Sequence, residues 1–196
     1  AWLGLVDRAE LQAGESVLVH AGAGGAGSAA IQLAKHRGAT VFATAGTDEK
    51  VELCRDLGAD IAINYATEDF ADTVMEATGG AGVEVVFDTV GEAVMDRSMN
   101  CTAYNGRYVM IGFASDKAVA DEKWIVPRRV AAGNFKLCGV LLAYASEAIA
   151  PVMKKAMGWN FCPDALGARA MAEIVEGVRE GNLKPVVGEV CDFDAL

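Results

Sequence analysis

The chain has 196 residues, of which 53% are hydrophobic, and a formal net charge of −10. This length and apolar content allow one folded domain with a sizeable core and argue against disorder. The acidic balance argues against nucleic acid or an anionic membrane surface as the general partner, and no apolar run is long enough to span a bilayer.

Five cysteines are scattered along the chain without a CxxC pair. This usage favours reduced thiols and hence a cytoplasmic protein. The sequence contains no HExxH motif and no His and Cys cluster that would indicate a metal site. It also lacks the GxSxG motif of a serine nucleophile.

Short β-branched runs alternate with helical stretches along most of the chain. The predicted strands lie at residues 16–20, 40–44, 61–64, 83–88, 107–111 and 135–141. The predicted helices lie at residues 1–11, 25–37, 48–57, 67–77, 92–101 and 165–180, with Thr67 as the N-cap of the fourth. Residues 116–127 are expected to be irregular, and residues 185–190 are a candidate last strand. The alternation predicts an α/β fold of the doubly wound Rossmann type, with a mainly parallel six-stranded sheet and helices on both faces.

A glycine-rich turn, Gly22-x-Gly24-Gly25-x-Gly27, joins the first predicted strand to the following helix. Glycines allow a tight turn and the close approach of a pyrophosphate, and the helix N-terminus offers free N–H groups. Strand, turn, helix and next strand in this order predict a dinucleotide-binding unit. The alternative is a flexible glycine loop between unrelated elements.

The end of the second predicted strand bears on the choice of cofactor. NAD-binding folds usually carry an acidic residue there, which binds the ribose hydroxyls, whereas this chain has Thr44-Ala-Gly-Thr-Asp-Glu-Lys50. Small residues leave room for a 2′-phosphate, Thr47 can donate a hydrogen bond, and Lys50 can supply a positive charge. The segment therefore favours NADPH. Because Asp48 and Glu49 also suit the first turn of a helix, an ordinary helix start with a solvated lysine is the alternative.

Three further side chains could take part in chemistry. His20 ends the first predicted strand, where a hydrogen-bonded structural role is favoured over a catalytic base. His36 lies late in a helix, where a cation complements the helix dipole. Asp88 ends the fourth predicted strand and is either a functional carboxylate or a cap for the next helix.

Several motifs together resemble one known family. They are Leu18-Val-His-Ala-Gly-Ala-Gly-Gly-Ala-Gly27, Ala45-Gly-Thr-Asp-Glu-Lys50, Leu57-Gly-Ala-Asp60, Ile63-Asn-Tyr65, Val86-Phe-Asp-Thr-Val-Gly91 and Gly106-Arg-Tyr-Val-Met-Ile-Gly112. In this order they resemble the NADPH:quinone oxidoreductase branch of the medium-chain dehydrogenase/reductase superfamily, which includes zeta-crystallin. The resemblance runs from Ala1 to about Val190.

The resemblance implies a set of cofactor-binding residues. Those at the pyrophosphate would be Gly24, Gly25 and Ala26, the last standing where the family usually has valine. Those at the 2′-phosphate would be Gly46, Thr47, Lys50 and Tyr65. Those towards the nicotinamide would be Val90, Gly112 and Phe113. No residue of this chain is assigned to catalysis or to a metal.

The resemblance also implies a reaction. Family members use NADPH to reduce a quinone or another conjugated carbonyl, and this branch does so without zinc. They carry a GroES-like domain before the present region and a C-terminal segment after it, so all 196 residues would form the Rossmann domain alone, inactive by itself. The start at Ala1 without methionine fits a piece of a longer protein, with natural processing as the alternative.

The family often dimerises through an edge strand, and the apolar run from Phe135 to Leu141 is the candidate here. Two alternatives to a quinone reductase remain. One is the enoyl reductase module of a fatty-acid or polyketide synthase, which shares the fold. The other is a non-catalytic nucleotide-binding protein, such as a crystallin or a vesicle-associated protein.

Overall fold

The computed structural model describes residues 1–112, 127–188 and 190–192. Six strands form its main sheet: β1 (Ser16–Val19), β2 (Thr40–Ala45), β3 (Ile61–Asn64), β4 (Val83–Asp88), β5 (Thr102–Met110) and β6 (Lys136–Gly139). Their order in the sheet is β3-β2-β1-β4-β5-β6, and every neighbouring pair is parallel. The chain therefore builds the sheet outwards in one direction from β1 and in the other from β4, which places the topological switch between these two strands.

Helices connect the strands. They are α1 (Gly25–His36), α2 (Asp48–Asp56), α3 (Phe70–Ala77), α4 (Glu92–Asn100), α5 (Pro127–Gly133), α6 (Ala150–Met157) and α7 (Asp164–Arg179), with a short π-helix over Leu3–Arg8. Two short strands, β7 (Tyr144–Ala145) and β8 (Cys162–Pro163), pair in parallel in a second small sheet.

The two faces of the main sheet carry separate hydrophobic cores, because successive side chains of a strand point to opposite faces. On β1, Val17 and Val19 belong to the core that includes residues of the π-helix, α1, α2 and α7. Leu18 belongs to the core built with α3 and α4. The predicted Rossmann fold with helices on both faces is confirmed.

Several predicted boundaries need correction. The first helix spans Leu3–Arg8 and not residues 1–11. The N-cap of α3 is Asp69, whose carboxylate accepts the N–H groups of Ala71 and Asp72, whereas Thr67 lies in the preceding turn. The fifth strand begins at Thr102, before an irregularity in its pairing with β4. Residues 185–188 and 190 form no strand. The segment predicted to be irregular falls outside the described residues, except Pro127, which begins α5.

Candidate functional site

The predicted site residues all follow strands, at the edge where the carboxyl ends of the parallel strands meet. Gly24, Gly25 and Ala26 follow β1; Gly46, Thr47 and Lys50 follow β2; Tyr65, Val90 and Gly112 follow β3, β4 and β5. Phe113 lies outside the described residues. In open α/β sheets this edge, at the topological switch, is where ligands bind.

The glycine turn is required by the packing of α1 against the sheet. A methyl group on Gly27 would lie 2.2 Å from the carbonyl oxygen of Ala21, and one on Gly22 would lie 2.7 Å from the Sγ of Cys54. The N–H of Gly22 also donates a 2.8 Å hydrogen bond to the carbonyl of Thr44, which ties the turn to β2. Packing alone therefore requires glycine at positions 22 and 27, whether or not a cofactor binds.

The N-terminus of α1 is left open. Its N-cap is Gly24, which offers no capping side chain, and no acidic residue lies in the first turn. Gly24, Gly25 and Ala26 are exposed, and no described residue accepts the N–H of Gly25 or Ala26. In contrast, α2 is capped by Thr47 and α3 by Asp69. Free N–H groups and the positive end of the helix dipole fit a pyrophosphate.

A second polar corner lies at the end of β2. The Tyr65 hydroxyl lies over Gly46, because a methyl group on this glycine would be 2.6 Å from it. The Oγ1 of Thr47 accepts the N–H of Lys50 at 3.3 Å, which leaves the hydroxyl proton free to donate. The ammonium of Lys50 forms no ion pair with any described residue. Two hydroxyls and a free cation fit a phosphate group.

Asp88 supports the turn after β4. Its Oδ1 accepts the N–H groups of Val90 at 2.7 Å and Gly91 at 2.9 Å. Burial raises the pKa of this carboxyl, while its hydrogen bonds act in the opposite direction. The prediction that Asp88 could cap the next helix is wrong, because the N-cap of α4 is Gly91 and no side chain caps this helix. Asp88 instead holds the turn between β4 and α4.

The Val90 turn lies beside the ends of two neighbouring strands. The hydroxyl of Thr89 donates to the carbonyl of His20, at the end of β1, at 3.4 Å. A methyl group on Gly112 would lie 3.0 Å from the carbonyl oxygen of Thr89. Val90 and Gly112, both half-buried, therefore belong to adjacent segments beside the switch point.

His20 is fully buried and hydrogen-bonded at both ring nitrogens. Its Nε2 lies 2.8 Å from the Oγ of Ser98, and its Nδ1 lies 3.0 Å from the Oγ1 of Thr44. Because the Ser98 hydroxyl donates to the Val94 carbonyl, its oxygen accepts from His20, which assigns the proton to Nε2. Burial lowers the pKa of His20 to about 3. His20 is thus a neutral structural residue, as predicted, and His36 is an exposed residue at the end of α1.

Sequence reasoning missed four polar residues that hold this edge together. They are Thr44, Asn64, Ser98 and Tyr108, all buried. Thr44 and Asn64 lie at or beside strand ends, which is a signal that could have drawn attention to them. The partners of Ser98 and Tyr108 are distant in sequence, so no local pattern indicates them.

The described residues contain no cluster of three His, Cys, Asp or Glu side chains suited to a metal ion. No described helix is long and apolar enough to cross a membrane. All five cysteines are free thiols, and burial raises the pKa of Cys54 to about 11.

The parallel sheet, the open helix start and the polar corner define a dinucleotide-binding domain. The sequence profile of the family described as zinc-binding dehydrogenase matches residues 25–159. The chain belongs to this family, which confirms the resemblance to the medium-chain dehydrogenase/reductase superfamily.

Two curated relatives are similar to more than half of this chain. The chain is 44% identical over 109 residues to a 2-haloacrylate reductase of Burkholderia sp, a match that covers 56% of this chain and 33% of the relative. It is 41% identical over 112 residues to a phthioceranic/hydroxyphthioceranic acid synthase of Mycobacterium bovis, which covers 57% of this chain and 5% of the synthase.

Solved structures agree with the fold. An NAD-dependent alcohol dehydrogenase superposes with a TM-score of 0.75 at 31% identity, covering 95% of this chain and 47% of the other. An Escherichia coli quinone oxidoreductase complexed with NADPH superposes with a TM-score of 0.73 at 27% identity, covering 91% of this chain and 49% of the other. The chain thus spans about half the length of these enzymes.

Proposed function

We propose that this chain is the NADPH-binding domain of an enzyme that transfers a hydride from NADPH to a quinone or another conjugated carbonyl. The observation that carries the choice of NADPH is the corner at the end of β2. There, the Tyr65 hydroxyl lies over Gly46, and the Thr47 hydroxyl has its proton free to donate. Lys50 follows in the first turn of α2, and residues 44–47 at the strand tip include no acid. The quinone oxidoreductase complexed with NADPH supports the same choice.

The dinucleotide would lie across the carboxyl edge of the sheet. The N-terminus of α1 would bind the pyrophosphate through the exposed backbone of Gly24, Gly25 and Ala26. Val90 and Gly112 would contact the nicotinamide half, and Phe113 follows them in sequence. The cofactor supplies the hydride. The residues of this chain would bind the cofactor, orient it and exclude water from one side of its nicotinamide.

The substrate class rests on the relatives. A 2-haloacrylate carries a carbon–carbon double bond conjugated to a carboxylate, and a quinone is a conjugated dicarbonyl. Both are electron-poor acceptors of a hydride, and a proton from the solvent completes either reduction. The match to a synthase keeps an enoyl reductase module as the second candidate, since such a module also reduces a conjugated double bond.

We also propose a two-fold dimer in the cytoplasm. Among the described residues, β6 pairs only with β5, so its other edge is free to pair antiparallel with a second copy. The candidate segment from Phe135 to Leu141 carries one charged residue, Lys136. Light scattering at micromolar concentration should give the mass of a dimer, and a monomer mass would contradict this arrangement.

Calorimetric titration with NADPH and NADH tests the cofactor. We expect NADPH to bind at least tenfold more tightly, because charge-assisted hydrogen bonds contribute about 1.5–3 kcal/mol each. Lys50→Ala should remove most of this preference, whereas Lys155→Ala, on the exposed surface of α6, should leave it unchanged. Equal affinities, or a preference for NADH, would contradict the NADPH assignment.

The reaction is tested in a full-length protein that contains this chain. NADPH consumption should be measured with a quinone, a 2-haloacrylate and an enoyl thioester as separate acceptors. Turnover with the quinone supports the first candidate, and turnover with the enoyl thioester alone supports the second. Tight binding of NADPH without any turnover would indicate a non-catalytic role.

A further inference from the structure

Asn64, the last residue of β3, contacts an acidic side chain beside the proposed phosphate corner. Its Nδ2 donates a 2.6 Å hydrogen bond to the Oδ1 of Asp48. Its own Oδ1 accepts the N–H of Ala66 at 3.1 Å. Because a backbone N–H can only donate, this second bond fixes the orientation of the amide and directs its NH₂ group towards Asp48.

The sheet register explains why the two residues meet. Asn64 pairs with Ala45, the last residue of β2, so it stands beside the tip of that strand. Asp48 is the first residue of α2 and follows Thr47, the N-cap. Asn64 is only 7% exposed, so its side chain occupies a defined position under the corner.

A free carboxylate in this corner would oppose NADPH in two ways. It would repel a 2′-phosphate, and it would accept hydrogen bonds from the ribose hydroxyls of NADH, as the acidic residue of NAD-binding folds does. A charge-assisted hydrogen bond from Asn64 holds one carboxylate oxygen towards β3 and occupies it. The neighbouring acid, Glu49, is exposed and hydrogen-bonds to no described side chain.

We propose that Asn64 is a specificity-determining residue, which favours NADPH over NADH by binding the Asp48 carboxylate and holding it away from the 2′-phosphate. This inference rests on the proposed NADPH site. Asn64 acts through Asp48, so its effect on cofactor choice must disappear when Asp48 carries no carboxylate. A residue that merely supported the fold would not show this dependence.

The test compares 2′,5′-ADP with 5′-ADP by calorimetry, because these ligands differ only in the 2′-phosphate and need no nicotinamide contacts. For Asn64→Ala we expect the preference for 2′,5′-ADP to fall about fivefold or more. The double variant Asn64→Ala/Asp48→Ala should recover the wild-type preference. The matched double variant Asn64→Ala/Glu49→Ala should not recover it.

Other outcomes would separate the two proposals. A wild-type chain with no preference for 2′,5′-ADP overturns the NADPH site and this inference with it. This inference alone is overturned if Asn64→Ala keeps the wild-type preference for 2′,5′-ADP. It is also overturned if Asn64→Ala lowers that preference and Asn64→Ala/Asp48→Ala does not restore it. If Asn64→Ala does not fold, the single variant Asp48→Ala provides the test. A preference for 2′,5′-ADP within about twofold of wild type would show that the Asp48 carboxylate is already held away from the 2′-phosphate. A large gain in this preference would overturn the inference.

Discussion

The hydroxyl of Tyr108 on β5 donates a 2.6 Å hydrogen bond to the Oδ2 of Asp88 at the end of β4. Both side chains are buried. Burial, together with the adjacent carboxylate, raises the pKa of Tyr108 above its usual range, so it remains a donor. Since the other oxygen of Asp88 binds the N–H groups of Val90 and Gly91, the pair fixes the turn that carries Val90.

Tyr108→Phe should destabilise the fold while preserving the ring packing. It removes a hydrogen bond to a buried carboxyl group, so we expect the free energy of unfolding to fall by about 1.5–3 kcal/mol. Tyr104→Phe is the matched control, because Tyr104 lies on the same strand but is 82% exposed, and it should change stability by less than about 0.5 kcal/mol. Urea denaturation measures both, and equal stabilities would contradict the role given to the pair.

The buried His20 should make stability depend on pH. Its pKa is lowered to about 3 in the folded chain, so between that value and about 6.5 the unfolded chain binds a proton that the folded chain does not. The stabilisation is therefore complete above about pH 6.5 and decreases as the pH falls, by about 2 kcal/mol from pH 7 to pH 5. Urea denaturation at both pH values measures this contribution. The control variant His36→Asn keeps His20, so its free energy of unfolding should fall by the same amount between pH 7 and pH 5.

The same imidazole can be observed directly. Nitrogen NMR spectra of the chain should show His20 neutral and protonated at Nε2 throughout pH 5–8, because Ser98 accepts its proton. Titration of His20 within this range would show that the ring is not enclosed as described.

Gly25 and Gly27 should respond differently to the same substitution. A methyl group on Gly27 would overlap the carbonyl of Ala21, so Gly27→Ala should lower the free energy of unfolding by at least about 2 kcal/mol. No atom lies within 4 Å of a methyl group on Gly25, so Gly25→Ala should fold normally. Because that methyl group would occupy space proposed for the pyrophosphate, NADPH affinity should fall at least about tenfold. Unchanged affinity would argue against a pyrophosphate at this turn.

A partly buried ion pair links β5 to the turn before β1. Arg107 donates to the two carboxylate oxygens of Glu15 at 3.0 and 2.5 Å and to the carbonyl of Ala9 at 2.8 Å. Burial acts to raise the pKa of Glu15, but the hydrogen bond from Arg107 lowers it below its usual value. The stabilisation from this pair is therefore present at pH values above the usual pKa of a glutamate and is lost in acid.

Arg107→Lys should destabilise the chain by about 1–2 kcal/mol at neutral pH, because lysine cannot form the two-pronged contact. Arg179→Lys changes an exposed pair with Glu176 and should have almost no effect. Thermal or urea unfolding distinguishes the two variants, and equal effects would show that Arg107 acts only as a surface charge.

The sequence predicted most of the fold because strand and helix signals agree with the tertiary structure. The bounds of β3 and β4 match the prediction, and the two helix ends at Gly38 and Gly58 have the positive φ that glycine favours. The prediction of Thr67 as the N-cap of α3 is wrong, since the N-cap is Asp69. Threonine and aspartate are both good capping residues, and only the packed turn selects between them. The apolar run at residues 185–190 predicts a strand, but residues 185–188 and 190 have no pairing partner among the described residues.

The candidate site was only partly predictable. Glycine spacing and the residues after β2 indicate where a dinucleotide would lie, because these signals are local. The contact of Asn64 with Asp48 depends on the register of β2 and β3, and that of Tyr108 with Asp88 on the register of β4 and β5. No single segment encodes such contacts, so they became visible only in the assembled sheet.

NMR mapping of the bound cofactor tests the central claim most directly. On addition of NADPH, we predict the largest amide shifts at Gly25 and Ala26, at Thr47 and Lys50, and in the turn of Val90, all along the carboxyl edge of the sheet. With NADH, the shifts at Thr47 and Lys50 should be much smaller. If NADPH shifted only amides elsewhere, such as those of α6, or none at all, a cofactor site at this edge would be contradicted.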